Sequence, residues 1–528
     1  MASEEIRILR DREIAEREAV ARNIAAIMAG LAAATTYTRF LRDAAAGIGD
    51  RRAIFDGETT LSYAELFGRV DGAAATLRAH GIVRGDAVAM LVDNSARYVI
   101  WFLAIVELGA VAVPINNKLV EREIAYIVGN SKARLFLFDK PYAEVVARVA
   151  AENEGLARLE THMPRASERT SGKAAATLDD AAAVYYTSGT TGVPKGVVHT
   201  HRTLIAGCLQ ASRAWGWDFE APVSMAVTPM FHIASHTLFF PILYRGGTLV
   251  VATFSADNVL RLMESEGITS FFGVPSILLI LANRAREIGV AFPRVKVVQF
   301  GAAPMPMDKL GEVQALFPNA RLIHGMGQTE SCGTLVTLPG ELAVLKIGSV
   351  GIAIPATQVA IFDDRDNEVP RGQIGELVGR SPSVMREYLG NPAASAETLR
   401  GGWLHTGDLG YMDEDGFVYL VDRKKDMIIR GGENVYSNEV EQVLAAHPAL
   451  SEVAVVGGPD PVMGEKVCAF LVARPGVAEP AIEEIQWHCR QQLAPYKVPV
   501  DIRYVDALPR NATGKVLKPE LRDILRGK

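Results

Sequence analysis

From about residue 50 onward, short apolar runs of strand length alternate with longer stretches of helical periodicity, and no other feature constrains the fold as tightly. Ala87 to Val92, Ala133 to Asp139, Ser224 to Thr228, Thr248 to Thr253 and Val295 to Phe300 read as buried strands. Ser62-x-x-Glu65 forms a capping box at a helix start, and Asp93 is expected to cap the helix that carries Trp101 and ends near Gly109. Strands separated by helices imply α/β layering with largely parallel sheets. At 528 residues the chain is too long for one core, so two or more domains are expected.

The pattern changes near Asp422. Ser437 caps a helix that stops before Pro448; Glu452 to Val456, Lys466 to Ala473 and Asp501 to Val505 read as strands, and a helix runs around Ile482 to Leu493. The expected organisation is a large N-terminal domain of layered sheets and helices (1–421), a polar hinge at 422–426, and a small, mobile α+β domain (427–528). Residues 1–35 carry an Ile and Leu spacing that suggests an amphipathic helix. Packing on the body and assembly, for instance into a homodimer, are both open to it. The polar segment from Pro164 to Lys173 reads as a surface excursion.

Composition excludes several classes. A net charge of −6 with no basic block gives no footprint for nucleic acid or anionic lipid. Cys208, Cys332, Cys468 and Cys489 are scattered without a C-x-x-C pair, which indicates neither a zinc site nor a disulfide framework. The charged start lacks the apolar core of a signal peptide. The most apolar stretch, Tyr98 to Ile115, is interrupted by Glu107 and Gly109, so it reads as a buried helix and strand, not as a membrane insertion. A cytoplasmic location is expected.

One string carries chemistry by itself. Tyr186 to Gly196 reads YTSGTTGVPKG: Thr187, Ser188, Gly189, Thr190, Thr191 and Gly192 offer hydroxyl donors and a permissive backbone, and Lys195 adds a positive charge at the loop's end. That is a phosphate cradle. It is not a Walker loop, because a glycine (Gly196) follows the lysine and the glycine spacing differs. Four further strings follow in order: Gly301-Ala302-Ala303-Pro304, Gly325-Met326-Gly327-Gln328-Thr329-Glu330, Leu404-His405-Thr406-Gly407-Asp408 with Asp422-Arg423, and Pro509 to Lys515, PRNATGK.

Together these strings resemble the motif series of the adenylate-forming superfamily, which includes acyl-CoA synthetases, aryl-CoA ligases, peptide-synthetase adenylation domains and luciferases. The resemblance covers nearly the whole chain. It implies ATP and CoA as co-substrates and Mg2+ as cofactor, with Glu330 as metal ligand and Thr329 as a hydroxyl on the α-phosphate. A carboxylate beside a phosphate loop needs such a cation to bridge the two anions. By the same resemblance Gly301, Ala302, Ala303, Met326, Gly327 and Gln328 line the nucleotide site, with Met326 standing where relatives carry an aromatic residue. Asp408 and Arg423 take the ribose hydroxyls. Lys515 serves adenylation, Lys425 occupies the hinge, and Gly431-Gly432 pass the pantetheine arm, as the small domain rotates between half-reactions.

The implied substrate is a small-molecule carboxylic acid. His232 gates the acyl channel, and Ala234, Ser235, Ala302, Gly325 and Gly333 line its pocket. None of the pocket positions is Arg or Lys, so a second carboxylate would find no partner. No Asp is present to anchor an amino group, and no Trp stands among these positions to plug a small pocket. An apolar monocarboxylic acid (medium-chain, alicyclic or aromatic) is expected. The alternatives are an acyl-AMP ligase loading a carrier protein in trans, and a non-catalytic nucleotide or acyl binding protein. The spacing around Lys515 also resembles the recognition pattern of lysine acetyltransferases.

Overall fold

The computed structural model describes residues 2–32, 35–167, 176–187, 194–303, 305, 309–343, 345–510 and 516–526. The chain divides into two compact units, 1–359 with 379–405 and 415–418, and 360–378 with 406–414 and 419–528.

The first unit is built on two sheets. In the larger, nine strands among the described residues run in the order Ile352–Ala353, Val336–Leu338, Arg321–Met326, Val297–Gly301, Ser270–Phe272, Val223–Ala226, Thr248–Val251, Arg52–Phe55, Thr60–Ser62. The strands from Arg321–Met326 through Arg52–Phe55 pair in parallel, and the outer ones are antiparallel. The second sheet orders Glu387–Tyr388, Lys195–Thr200, Ala181–Thr187, Val111–Pro114, Ala87–Leu91, Leu135–Phe138, Ala157–Glu160, parallel from Ala181–Thr187 onward.

Side-chain alternation shows why the strands are apolar throughout. Val88 and Met90 face a core shared with Ile54 and Leu249 of the larger sheet and filled by the helices Ala96–Glu107 and His201–Ala214. Ala89 and Leu91 face the opposite way, toward the helices Glu121–Ser131 and Ala143–Ala151. On the larger sheet Met225, Val250 and Val298 are covered by Ala256–Ser265, Pro275–Ile288 and Leu310–Leu316. Two sheets between three helical layers leave neither face of either sheet to water.

The helix Ala96–Glu107 is buried except at Arg97, as the interrupted apolar stretch implied, but its cap is Ser95 rather than Asp93: Ser95 Oγ accepts from Tyr98 N at 3.2 Å. Asp93 instead accepts from the Tyr142 hydroxyl at 2.6 Å. The capping box at Ser62 and Glu65 forms as expected. The N-terminal helix Ala2–Gly30 lies on the body of its own unit through buried Ile24 and Arg17. Arg17 donates to the carbonyls of Ile352 and Ala353 and to Thr337 Oγ1, closing an edge of the larger sheet. Among the described residues no helix is long and apolar enough to cross a membrane.

In the second unit, Leu450–Asp460 and Gly464–Ala473 form a long antiparallel hairpin, joined by Asp501–Tyr504 in parallel and by Ile428–Arg430 and Glu433–Val435. Ser437–Ala445 and Ile482–Arg490 pack on this sheet in one core. Ser437 is the first residue of its helix and not the cap; the Asp422 carboxylate does the capping, accepting from Ser437 N and, at 3.2 Å, from Ser437 Oγ. Of the polar excursion, Pro164 to Ser167 lies along the helix Tyr63–Ala79, with Ser167 N on Gly68 O at 3.0 Å; residues 168–173 are outside the described residues.

Candidate active site

The phosphate-loop string begins and ends on two paired strands of a hairpin. Ala181–Thr187 is a buried strand, and the chain returns antiparallel as Lys195–Thr200, with Thr187 opposite Lys195 and Tyr186 opposite Gly196. Ser188, Gly189, Thr190, Thr191 and Gly192 lie outside the described residues. Gly196 must lack a side chain, because a Cβ there would stand 2.9 Å from Val184 Cγ1 and 3.0 Å from Tyr186 Cζ. The two-residue strand Glu387–Tyr388 adds to the hairpin's outer edge, and Leu389 N donates to Gly196 O at 2.7 Å. It brings in a side chain that no motif announced. The Tyr388 ring lies under Lys195 Nζ, 4.9 Å from its centroid, and the Tyr388 hydroxyl donates to Glu330 Oε1 at 2.6 Å. Burial, and then the Glu330 charge, push the Tyr388 pKa far up, so this hydroxyl keeps its proton.

Thr329, Glu330 and Ser331 form a single tight turn after the strand Arg321–Met326. Their three successive carbonyls all point to donors from elsewhere in the unit: Thr329 O accepts from His199 Nε2 at 2.8 Å, Glu330 O from Met385 N at 2.8 Å, and Ser331 O from Ser383 Oγ at 3.2 Å. A carbonyl only accepts, so Nε2 of His199 carries the hydrogen. Burial lowers the His199 pKa to about 4, so the ring is neutral at pH 7. Gln328 closes the turn from inside, its N–H on Ser331 Oγ and its carbonyl accepting from Gly333 N. Gly327 is forced by this compactness: a Cβ would sit 2.2 Å from Gly333 O. Met326 is half-buried, and its carbonyl accepts from Leu335 N at 2.9 Å.

At the carboxyl ends of two adjacent parallel strands, Gly301 pairs with Gly325. Open α/β sheets bind ligands at such ends. A Cβ on Gly301 would stand 2.2 Å from Gly325 O. Ala302 follows with φ +66°, a left-handed conformation that costs a non-glycine residue on the order of 1 kcal/mol, and Ala302 and Ala303 are both exposed. No space is left beside Gly325. Trp215, which ends the helix His201–Ala214, would stand 2.1 Å (Cη2) from a Cβ on Gly325. Trp215 stands outside every motif and reaches this position only in the folded chain.

The His232 segment is held from the second sheet. Asn94 brackets it, donating to Thr228 O at 2.9 Å and accepting from Met230 N at 2.8 Å, while the Tyr98 hydroxyl donates to Met230 O at 2.8 Å. Burial, and then the charge of Lys118, lower the His232 pKa to about 4. Ala234 is half-buried, and buried Ser235 donates to His232 O at 3.0 Å. Gly333, φ +101°, faces Thr237: a Cβ would come within 2.8 Å of its Cγ2.

In the second unit, buried Asp408 pairs with Arg423, Nε to Oδ1 at 2.6 Å. Lys424 pairs with Asp364 at 2.8 Å, and the Lys425 carbonyl accepts from Arg522 at 3.2 Å. Gly431 and Gly432 adopt φ +60° and +87°; a side chain on Gly432 would meet nothing within 4 Å. Lys515 lies outside the described residues.

Sequence reasoning missed Tyr388, His199, Met385 and Ser383. Hydrogen bonds between segments distant in sequence join them to the Thr329–Ser331 turn, and the two-residue strand that carries Tyr388 has no periodicity to detect. The donor set suits Mg2+. No cluster of three or more His, Cys, Asp or Glu that could hold a metal occurs among the described residues; Glu330 is the carboxylate that the Tyr388 hydroxyl ties to the hairpin. A hard cation that keeps its waters and takes the rest of its ligands from phosphate needs no more.

Comparison with known proteins bears on the same residues. The model of the AMP-binding enzyme family matches residues 41–389, and that of the AMP-binding enzyme C-terminal domain matches 439–515. A feruloyl-CoA synthase of Amycolatopsis sp is 36% identical over 472 residues, covering 89% of this chain and 95% of that protein. The long-chain-fatty-acid–CoA ligase FadD13 of Mycobacterium tuberculosis is 36% identical over 478 residues, covering 88% and 93%. Among solved structures, the o-succinylbenzoate coenzyme A synthetase MenE of Bacillus subtilis, in complex with ATP and magnesium ion, superposes with a TM-score of 0.82 at 31% identity, covering 92% of this chain and 99% of that one.

Proposed function

The chain belongs to the AMP-binding enzyme family, the adenylate-forming acyl-CoA synthetases and ligases, and on that premise we propose that it joins an apolar monocarboxylic acid to CoA. The acid is medium-chain, alicyclic or aromatic. In the first step a carboxylate oxygen attacks the α-phosphorus of ATP and the bond to pyrophosphate breaks, giving acyl-AMP. In the second, the CoA thiolate attacks the acyl carbonyl and AMP leaves. The observation that carries the reading is the convergence of Lys195 and Glu330 on Tyr388 at the base of the phosphate hairpin, a cation and an anion set for a nucleotide's polyphosphate.

Adenylation is catalysed mainly by positioning and charge neutralisation. The string from Thr187 to Gly192 cradles the phosphates and Lys195 offsets their charge. Glu330 would hold Mg2+, which supplies Lewis-acid neutralisation of the phosphates when bound. Thr329 donates to the α-phosphate, and its neighbours Met326, Gly327 and Gln328 cover the nucleotide with Gly301, Ala302 and Ala303. Asp408 and Arg423 take the ribose hydroxyls, and Lys515 brings a positive charge to the reacting carboxylate and α-phosphate. Rotation about Lys425 then exchanges Lys515 for Gly431 and Gly432, whose open backbone passes the pantetheine arm.

The acid's character follows from charge. His232, and His236 beyond it, are held neutral by burial, and the pocket positions carry no Arg or Lys. A substrate's second carboxylate would stay unpaired there at a cost of several kcal/mol.

AMP release with MgATP and CoA across acetate, hexanoate, decanoate, cyclohexanecarboxylate, benzoate, a cinnamate and malonate tests the assignment. CoA-dependent AMP from an apolar acid is expected. Activity confined to malonate would sink the charge argument, and pyrophosphate without thioester would point to a carrier-protein acceptor. A cytoplasmic location, a homodimer and control by acetylation of Lys515 belong to the same reading. Fractionation, light scattering and mass spectrometry after acetyltransferase treatment test each in turn.

A further inference from the structure

We infer that Tyr388 is a positioning residue for metal–nucleotide binding: its hydroxyl fixes one oxygen of the Glu330 carboxylate and so sets the direction in which that carboxylate meets a divalent cation. The inference rests on the reading of Glu330 as the metal carboxylate. Its own basis is geometric. Tyr388 is only 6% exposed and packs with Val197 and Met385, so its ring has little freedom. Its backbone is tied to the hairpin by the pairing of Tyr388 with Val197. From that mount the hydroxyl reaches Glu330 Oε1 at 2.6 Å, while Met385 N, three residues earlier in the same segment, holds the Glu330 carbonyl at 2.8 Å.

One short segment thus grips both the backbone and the side chain of Glu330. A carboxylate accepting at one oxygen keeps acceptor capacity at the other, so the contact orients the group without consuming it. The same ring lies beneath Lys195, so loop cation and metal carboxylate share one mount. A tyrosine that merely satisfied its own hydroxyl would stabilise the fold and leave metal affinity alone.

The test measures Mn2+ affinity in the presence of ATP, without acid or CoA, by electron paramagnetic resonance on the full chain. ATP affinity in EDTA is measured alongside by calorimetry. The wild type is compared with Tyr388→Phe, Glu330→Gln and the double variant; phenylalanine keeps the ring under Lys195. Tyr388→Phe is expected to weaken Mn2+ binding about tenfold, the range for an outer-shell partner of a metal ligand. Metal-free ATP affinity should stay the same, and the substitution should add nothing in the Glu330→Gln background. Unchanged Mn2+ affinity in Tyr388→Phe, with a loss in Glu330→Gln, overturns the role of Tyr388 and leaves the Glu330 reading standing. Unchanged Mn2+ affinity in Glu330→Gln overturns both. An equal loss of metal-free ATP binding in Tyr388→Phe, or an equal effect in the double variant, reduces Tyr388 to a structural part.

Discussion

The turn Thr329–Ser331 and the segment Asp422–Gly432 are both short, polar and rich in motif residues, yet only the segment adds exposed ion pairs to its backbone ties. Around the turn, three consecutive backbone carbonyls are taken by His199, Met385 and Ser383, and Tyr388 holds the carboxylate. In the segment, side-chain ion pairs, Arg423 with Asp408 and Lys424 with Asp364, stand beside backbone bonds such as Lys424 N on Gly407 O at 2.9 Å, and two left-handed glycines follow. Buried hydrogen bonds are costly to break singly. Partly exposed ion pairs are worth about 0–1 kcal/mol each and weaken with salt. A group that must meet charge in one geometry is thus built into the backbone network. A stretch assigned to the hinge and the thioester step is held in part by ion pairs that are easily exchanged.

The comparison can be broken most sharply by separating the half-reactions. Glu330→Gln and Lys515→Ala should each slow adenylation, followed as acid-dependent pyrophosphate release, by roughly 10²–10³. Thioester formation from preformed acyl-AMP should be spared. Equal slowing of both steps in either variant would remove the division of labour. Gly432→Leu should do the converse with a smaller effect, about tenfold on thioester formation and little on pyrophosphate release. A side chain there meets nothing within 4 Å in this structure and suffers only the strain of φ +87°, about 1 kcal/mol. Loss of pyrophosphate release in Gly432→Leu would mean that the glycines serve adenylation too.

How far these regions were legible in the sequence follows the same contrast. The alternating strands and helices were readable because each strand is apolar on both faces, and Ala87–Leu91 and Leu135–Phe138 appear within two residues of expectation. The small domain was readable for the same reason, its hairpin strands only running longer than their apolar cores. Motif residues were found by type and order. Their supports were not: Tyr388, Met385 and Ser383 reach Glu330 and Ser331 by strand pairing and loop packing across more than fifty residues of chain, which local pattern does not encode. Both caps were misplaced: Asp93 for Ser95 because Asp, Asn and Ser stand side by side at that helix start, and Ser437 for Asp422 because the capping carboxylate comes from fifteen residues away. Trp215 escaped for a related cause: only the tertiary fold brings it against Gly325.

A smaller effect separates the regions by pH. The His199 pKa is lowered from 6.5 to about 4 by burial. Between those values the unfolded state binds a proton that the folded state refuses, so stability is fully present above about pH 6.5 and is lost as pH falls toward 4. The slope from this one residue is about 1.4 kcal/mol per pH unit at most. His199→Gln keeps a donor for Thr329 O and does not titrate, so urea midpoints between pH 7 and 4.5 should fall less steeply than in the wild type. Because His201 and His232 are lowered to about 4 as well, a residual slope should remain. Identical profiles would show that His199 is not the buried, neutral donor described.

The finest test uses salt. Lys424 is 40% exposed and pairs with exposed Asp364 at 2.8 Å and buried Glu376 at 3.5 Å, so its charge is partly screened. Lys424→Met should cost no more than about 1 kcal/mol in low salt, and much of that should vanish near 1 M NaCl, where the screening length falls to about 3 Å. Ser383→Ala removes a neutral donor from the buried carbonyl of Ser331 and should cost about 1–2 kcal/mol at any ionic strength. The two substitutions are close in size and opposite in their response to salt, which makes the pair more informative than either alone. If Lys424→Met kept its full cost at 1 M NaCl, the segment would be held as the turn is, and the freedom assigned to it would have to come from the glycines alone.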